Sequence, residues 1–206
     1  MSDGPDPAEQ ALYLASTSPR RCELLNGAAI DYVVVAPGPE PMGHGTPFAR
    51  AQLRARSKAL GALVPHGASA GIVLGVDTVV EVDGEELGKP GDLAEAAAML
   101  RRLAGREHVV HTAHCVRPHP ATPTWLSEQV LSARVAFDDL DPAAIEAYLR
   151  TEEWVGKAGA YAIQGSAGDF CRVVEGDRNV VIGLSLEAVR DLLRGGAQSA
   201  HGGTRT

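Results

Sequence analysis

The sequence has few cysteines: Cys22, Cys115 and Cys171 are odd in number and scattered over 206 residues. That pattern excludes a disulfide framework and a structural zinc site, and predicts reduced thiols in a core. No apolar run approaches the roughly 18 to 20 residues of a membrane span. Residues 1–10 have neither a basic n-region nor an apolar h-region, so a cytoplasmic protein without a membrane partner is expected. Basic charge is not in excess either. The formal net charge of −7 disfavours a nucleic-acid surface and repels a free nucleotide at long range. An anionic substrate would then need a local basic cluster, a divalent metal, or both. There is no internal repeat.

The 45% hydrophobic content is enough, over this length, to bury the core of one α/β domain. Residues 1–10 and 195–206, rich in small, polar and Gly residues without periodicity, read as disordered ends around a single domain at 11–194. Strand-like runs at 12–15, 30–36, 72–76, 109–116, 126–137, 161–164 and 170–175 alternate imperfectly with helical stretches. The helices are read from 19 to about 27, at 48–63 and 93–103, from 142 to about 150, and up to about 193. Thr78 to Val82 continues beyond Asp77 as a strand into Asp83-Gly84, a hairpin signal, and residues 118–123 form a Pro-rich link. Hairpins among the alternating elements predict an α/β fold with a mixed β-sheet covered by helices.

Residues 12–25, LYLASTSPRRCELL, organise the rest. A short apolar strand is broken by Ser16, Thr17 and Ser18; Ser18 suits a helix N-cap and Pro19 the first helical position. The free N–H groups and positive dipole end of that helix face the turn, and Arg20 and Arg21 add cations to its rim, which makes an anion site. The same pattern also reads as a plain cap with two solvated arginines. Asp77 directly follows a buried apolar run, where open α/β sheets place ligands, although a turn Asp satisfying local amides has the same signature. In EWVGKAGAYAIQG, residues 153–165, glycines permit close backbone approach, Lys157 offers a cation and Gln164 an amide that both donates and accepts. His108, His111 and His114 do not make a metal site, because a spacing of three on a strand sends successive imidazoles to opposite faces.

Six stretches together resemble the Maf family of nucleoside triphosphate pyrophosphatases. Residues 12–25 resemble its A-S-x-S-P-R-R opening, and Lys58-Ala59 the end of its basic helix. GVDTVV at 75–80 resembles A-D-T-V-V, Gly88-Lys89-Pro90 its G-K-P turn, and residues 157–165 its K-A-G-A-Y-x-I-Q-G loop. NVVIGLSL at 179–186 resembles the family's ending. The resemblance spans about 12–193 and implies the elongated ITPase/Maf-like α/β fold. It also implies hydrolysis of dTTP or UTP, including modified pyrimidine nucleotides, to the monophosphate and pyrophosphate in nucleotide-pool housecleaning.

On this resemblance Asp77 is the general base. Ser16, Ser18, Arg20, Arg21, Lys58, Lys89 and Lys157 hold the triphosphate, and Arg20, Thr78 and Gln164 select the pyrimidine. Mg²⁺ or Mn²⁺ is the implied cofactor, with Asp77 and Glu40 as ligands, and a homodimer is the implied assembly. Two departures thin the carboxylates: Pro41 stands beside Glu40 where the family has an acidic pair, and Gly156 precedes Lys157 where it has Asp. The resemblance leaves two alternatives, a low-turnover nucleotide-binding regulator of cell division and a 7-methyl-GTP pyrophosphatase. The second is disfavoured by Arg20, Thr78 and Gln164.

Overall fold

The first strand of the computed structural model, β1 (Ala11–Ala15), lies next to the edge strand of a seven-stranded mixed sheet. The structure describes residues 10–121 and 125–201. The expected disordered stretches fall on residues 1–9 and 202–206, outside the described residues, and on 195–201. After β1 come α1 (Pro19–Gly27), β2 (Val33–Val35), α2 (Pro47–Leu60), β3 (Gly71–Val82), β4 (Glu85–Leu87) and α3 (Leu93–Leu103). The chain continues through β5 (Glu107–His119), β6 (Ser127–Phe137), α4 (Pro142–Leu149), β7 (Cys171–Glu175), α5 (Arg178–Ile182) and α6 (Leu186–His201). The sheet runs β2-β1-β3-β5-β6-β7, with β4 added to β3. β1 is parallel to β2 and β3, and every other pairing is antiparallel.

The two faces are covered differently. On one, the small residues Ala51, Ala55 and Ala59 of α2 pack on Val79, Ala113 and Cys115. On the other lie two separate cores. Leu12, Leu14, Leu74 and Val116 pack under Leu25 of α1 and Leu184, Val189 and Leu192. Further along the sheet, Val80, Val110, Val135 and Phe137 pack under Leu100 of α3 and Ile145 and Tyr148 of α4.

Four expectations change. Asp77 does not follow a strand; it lies inside one, because β3 runs unbroken for 12 residues. β5 continues through Pro118, which pairs with Ile72, so the Pro-rich link is shorter than 118–123, and residues 122–124 lie outside the described ones. Residues 161–164 are not a strand. They leave a 3₁₀ turn at Ala158–Ala160 and are pinned by the Ala162 amide donating to Tyr148 Oη and by Arg178 donating to the Ile163 carbonyl. The last helix reaches His201 and does not stop near Leu193.

Candidate active site

A break in the sheet makes the site. β5 covers one edge of β3 from Gly71 to Glu81. On the other edge β1 pairs with Gly71–Gly75 and β4 with Val80–Val82. Among the described residues no strand covers 76–79 on that edge. A cleft of about 640 Å³ opens there, and Asp77 and Thr78 form its floor.

Asp77 points to the α2 side and is buried, as is Lys58. Their meeting depends on Gly75: a Cβ there would stand 2.3 Å from the Ala55 carbonyl oxygen and 2.5 Å from the Ala59 amide. With no side chain at 75, α2 lies directly on β3. Lys58 Nζ donates to Asp77 Oδ1 at 2.6 Å and pairs with Glu40 Oε1, also at 2.6 Å. Burial holds the Asp77 carboxyl above its ordinary proton affinity, against the pull of Lys58 and Arg21. Glu40, about half exposed, is held lower by its bond to the same Lys58. Asp77 Oδ2 is buried with no hydrogen-bond partner.

The opposite wall starts at α1. Ser18 is the cap by position, with extended backbone, but its hydroxyl makes no capping bond; its amide donates instead to Ser16 Oγ at 3.2 Å. The first turn of α1 therefore keeps free N–H groups at the cleft. Arg21 does not project freely into the cleft. It is buried, and burial lowers its pKa to about 10. Nε donates to the Gly183 carbonyl at 2.9 Å, Nη1 to Ser16 Oγ at 2.8 Å and Nη2 to Thr78 Oγ1 at 3.2 Å. Thr112 Oγ1 donates to the Val180 carbonyl and lies 3.0 Å from Thr78 Oγ1. The shared proton must therefore come from Thr78, whose hydroxyl donates to Thr112 and accepts from Arg21.

The rim is cationic. Arg20 stands on the first turn of α1, where partial burial lowers its pKa. Lys89 follows β4 in an exposed turn, and Lys157 reaches in from the glycine loop, where burial and then Arg20 lower its pKa. Lys157 Nζ donates to the Val155 carbonyl at 3.0 Å. Gly159, at φ +70°, donates to the Gly88 carbonyl at 3.0 Å and ties the loop to the Lys89 turn. A Cβ there would meet Val80 Cγ1 at 3.1 Å. Gln164 is exposed at the mouth.

Every site residue read from the sequence lines this one cleft: Ser16, Ser18, Arg20, Arg21, Glu40, Lys58, Asp77, Thr78, Lys89, Lys157 and Gln164. The sequence reading missed Arg54 and Glu86, which line it too, and Thr112 behind Thr78. Arg54 stands one helical turn before Lys58, a spacing of four that shares a face. Glu86 shows itself only through the hairpin register, which places it opposite Glu81.

The free Asp77 Oδ2, with Glu40 across Lys58, is an oxygen donor set of the kind a hard divalent cation takes together with substrate phosphate and water. Among the described residues no group of three or more acidic, His or Cys side chains is placed to hold a metal alone. The three β5 histidines have separate partners. His108 meets Tyr161, His111 meets Ser132 and Glu81, and His114 accepts from the Ser185 amide.

A family model described as Maf-like protein matches residues 11–196. A Thermococcus gammatolerans protein named dTTP/UTP pyrophosphatase is 43% identical over 178 residues, 86% of this chain and 92% of its own length. A Bacillus velezensis protein of the same name is 42% identical over 175 residues, covering 84% of this chain and 89% of its own. One from Pelotomaculum thermopropionicum, also of that name, is 38% identical over 185 residues, 89% and 95% of the two chains.

Proposed function

The chain belongs to the Maf family, and on that premise we propose that its cleft hydrolyses dTTP or UTP between the α and β phosphates, releasing the nucleoside monophosphate and pyrophosphate. One observation carries this reading: a buried carboxylate, Asp77, keeps one oxygen free at the floor of a cleft rimmed by cations. Such a reaction needs its water and phosphates positioned and their charge neutralised. Lys58 on Oδ1 fixes the Asp77 carboxylate, so that Oδ2 takes the proton of the attacking water. The burial that raises its proton affinity suits that role.

Arg20, Lys89, Lys157 and the free amides at the start of α1 receive the phosphates, with Ser18 beside them. Arg21 and Ser16 act one step back: the guanidinium holds Ser16, Thr78 and Gly183 in register around the cleft. Asp77 and Glu40 would hold Mg²⁺ or Mn²⁺, which when bound neutralises phosphate charge. Thr78 already uses its proton on Thr112, so base choice falls mainly on Gln164, whose amide both donates and accepts at a pyrimidine edge, with Arg20 beside it. The resemblance adds a homodimer and a cytoplasmic location. The net charge of −7 argues against a nucleic-acid partner, and among the described residues no helix is long and apolar enough to cross a membrane.

The test is pyrophosphate release from dTTP, UTP and 7-methyl-GTP with Mg²⁺ or Mn²⁺, for the parent and Asp77→Asn. The parent should prefer the two pyrimidine nucleotides. The variant should stay folded and lose about 10²- to 10⁴-fold, the range for a missing general base. Turnover of Asp77→Asn near the parent rate with both metals would sink the assignment.

A further inference from the structure

Arg54 and Glu86 line the cleft beside Asp77 and have no part in the mechanism above. Arg54 descends from α2 and Glu86 rises from β4, with side chains only 20% and 14% exposed. They meet fork to fork: Nη1 to Oε1 at 2.6 Å and Nη2 to Oε2 at 3.2 Å. Arg50 Nε stands a further 3.2 Å from Glu86 Oε2. A bidentate pair of this kind fixes the plane of the guanidinium. Here it leaves Arg54 Nη1 4.0 Å from Asp77 Oδ2, beyond hydrogen-bond length.

That gap calls for a cause. A buried carboxylate oxygen is ordinarily hydrogen-bonded, and a guanidinium stands close enough to satisfy this one after a small rotation. The group that holds the guanidinium back is Glu86. Were Arg54 to reach Oδ2 while Lys58 keeps Oδ1, both Asp77 oxygens would be bound to fixed cations, with neither left for a water.

We propose that Glu86 is a positioning residue that holds Arg54 off Asp77 and so keeps Oδ2 free of a protein partner. This rests on the reading of Asp77 as the group that acts on the attacking water. Glu86 touches neither water nor phosphate; it acts through Arg54. Its removal should therefore lower kcat with little change in KM, and removal of Arg54 as well should restore much of the rate.

The test uses Glu86→Gln and the double variant Glu86→Gln/Arg54→Met, each checked by thermal melting. In a crystal structure of Glu86→Gln, an Arg54 Nη atom should lie about 3 Å from Asp77 Oδ2. For dTTP, kcat should fall about tenfold, a fraction of the full effect of losing a base, with KM within about twofold. The double variant should recover most of that fall. The proposal is overturned if Arg54 in Glu86→Gln stays away from Oδ2, or if the double variant remains as slow as the single one. A parent that releases no pyrophosphate from dTTP would defeat the functional reading alone, since the Arg54 contact in the Glu86→Gln structure is decided without turnover.

Discussion

Asp77 and Glu40 share one lysine and respond in opposite directions, because burial outweighs the amine at Asp77 and not at Glu40. Burial also governs the histidines. His108 and His114 are pushed down to about 4 by desolvation, and both are held neutral inside the core. For each, the folded pKa lies below the unfolded value near 6.5, so the unfolded chain binds more protons in the window between. Their contribution to stability is whole above about 6.5 and is lost as pH falls toward 4, by about 3 kcal/mol each at the lower end. The melting temperature should therefore fall steadily from pH 7 to pH 4.5. His108→Gln keeps a group that can meet the Tyr161 hydroxyl but takes up no proton, so its profile should be shallower; a profile parallel to the parent's would clear His108 of the effect. At this scale much of the site could be read from residue type and neighbours. Burial could not: nothing in SPRR separates the cleft-facing Arg20 from Arg21, whose nitrogens are all committed to the protein.

The elements carry information of a different kind. The helix at α2 was legible from composition, but not which of its basic residues face inward. The alanines at 51, 55 and 59 settle that, since they form the stripe that lies on β3 and leave Arg54 and Lys58 beside it. Gly75 is the other half of this contact, and its value lies in having no side chain. Gly75→Ala would drive a methyl group against the Ala55 carbonyl and the Ala59 amide. Neither backbone group can turn aside, so α2 must lift and carry Lys58 from Asp77. The expected cost is about 1 to 3 kcal/mol, as for other overpacked cores. Activity should fall by more than stability explains when both are measured at a temperature where the variant is fully folded. A variant with parental melting temperature and turnover would show that the close approach is not needed. The strand expected at 161–164 failed for a physical reason: its apolar residues are buried by a loop that borrows partners from Tyr148 and Arg178, with no ladder of its own. A short run of three buried residues looks the same in either setting.

For the whole molecule, the mixed sheet under helices was legible from the imperfect alternation of elements, and the cleft was not, because it arises from two distant segments that stop short on one strand edge. β1 ends at Ala15, beside Gly75, and β4 ends at Leu87, beside Val80, and only the register on β3 shows that they leave 76–79 uncovered between them. The two cores on the far face lie on either side of this gap. Ser16 to Arg21 belong to one flank of the cleft, while Val80, Val181, Lys89 and the glycine loop belong to the other. A nucleoside triphosphate that fills the cleft must bridge both, with its phosphates on the cationic rim and its base at Gln164. Binding should then stabilise the fold as a unit. At a free ligand concentration of 100 times Kd the gain is about 2.7 kcal/mol, a rise in melting temperature of roughly 5 to 10 °C for a domain of this size. The measurement is a melting series with a UTP analogue that cannot be cleaved between the α and β phosphates, against uridine alone and pyrophosphate alone. The full analogue should raise the midpoint by far more than either fragment, because only it spans the two flanks. A pyrophosphate shift equal to that of the whole analogue would mean that the rim binds phosphate without any reading of the base, and Gln164 would then have no part in substrate choice.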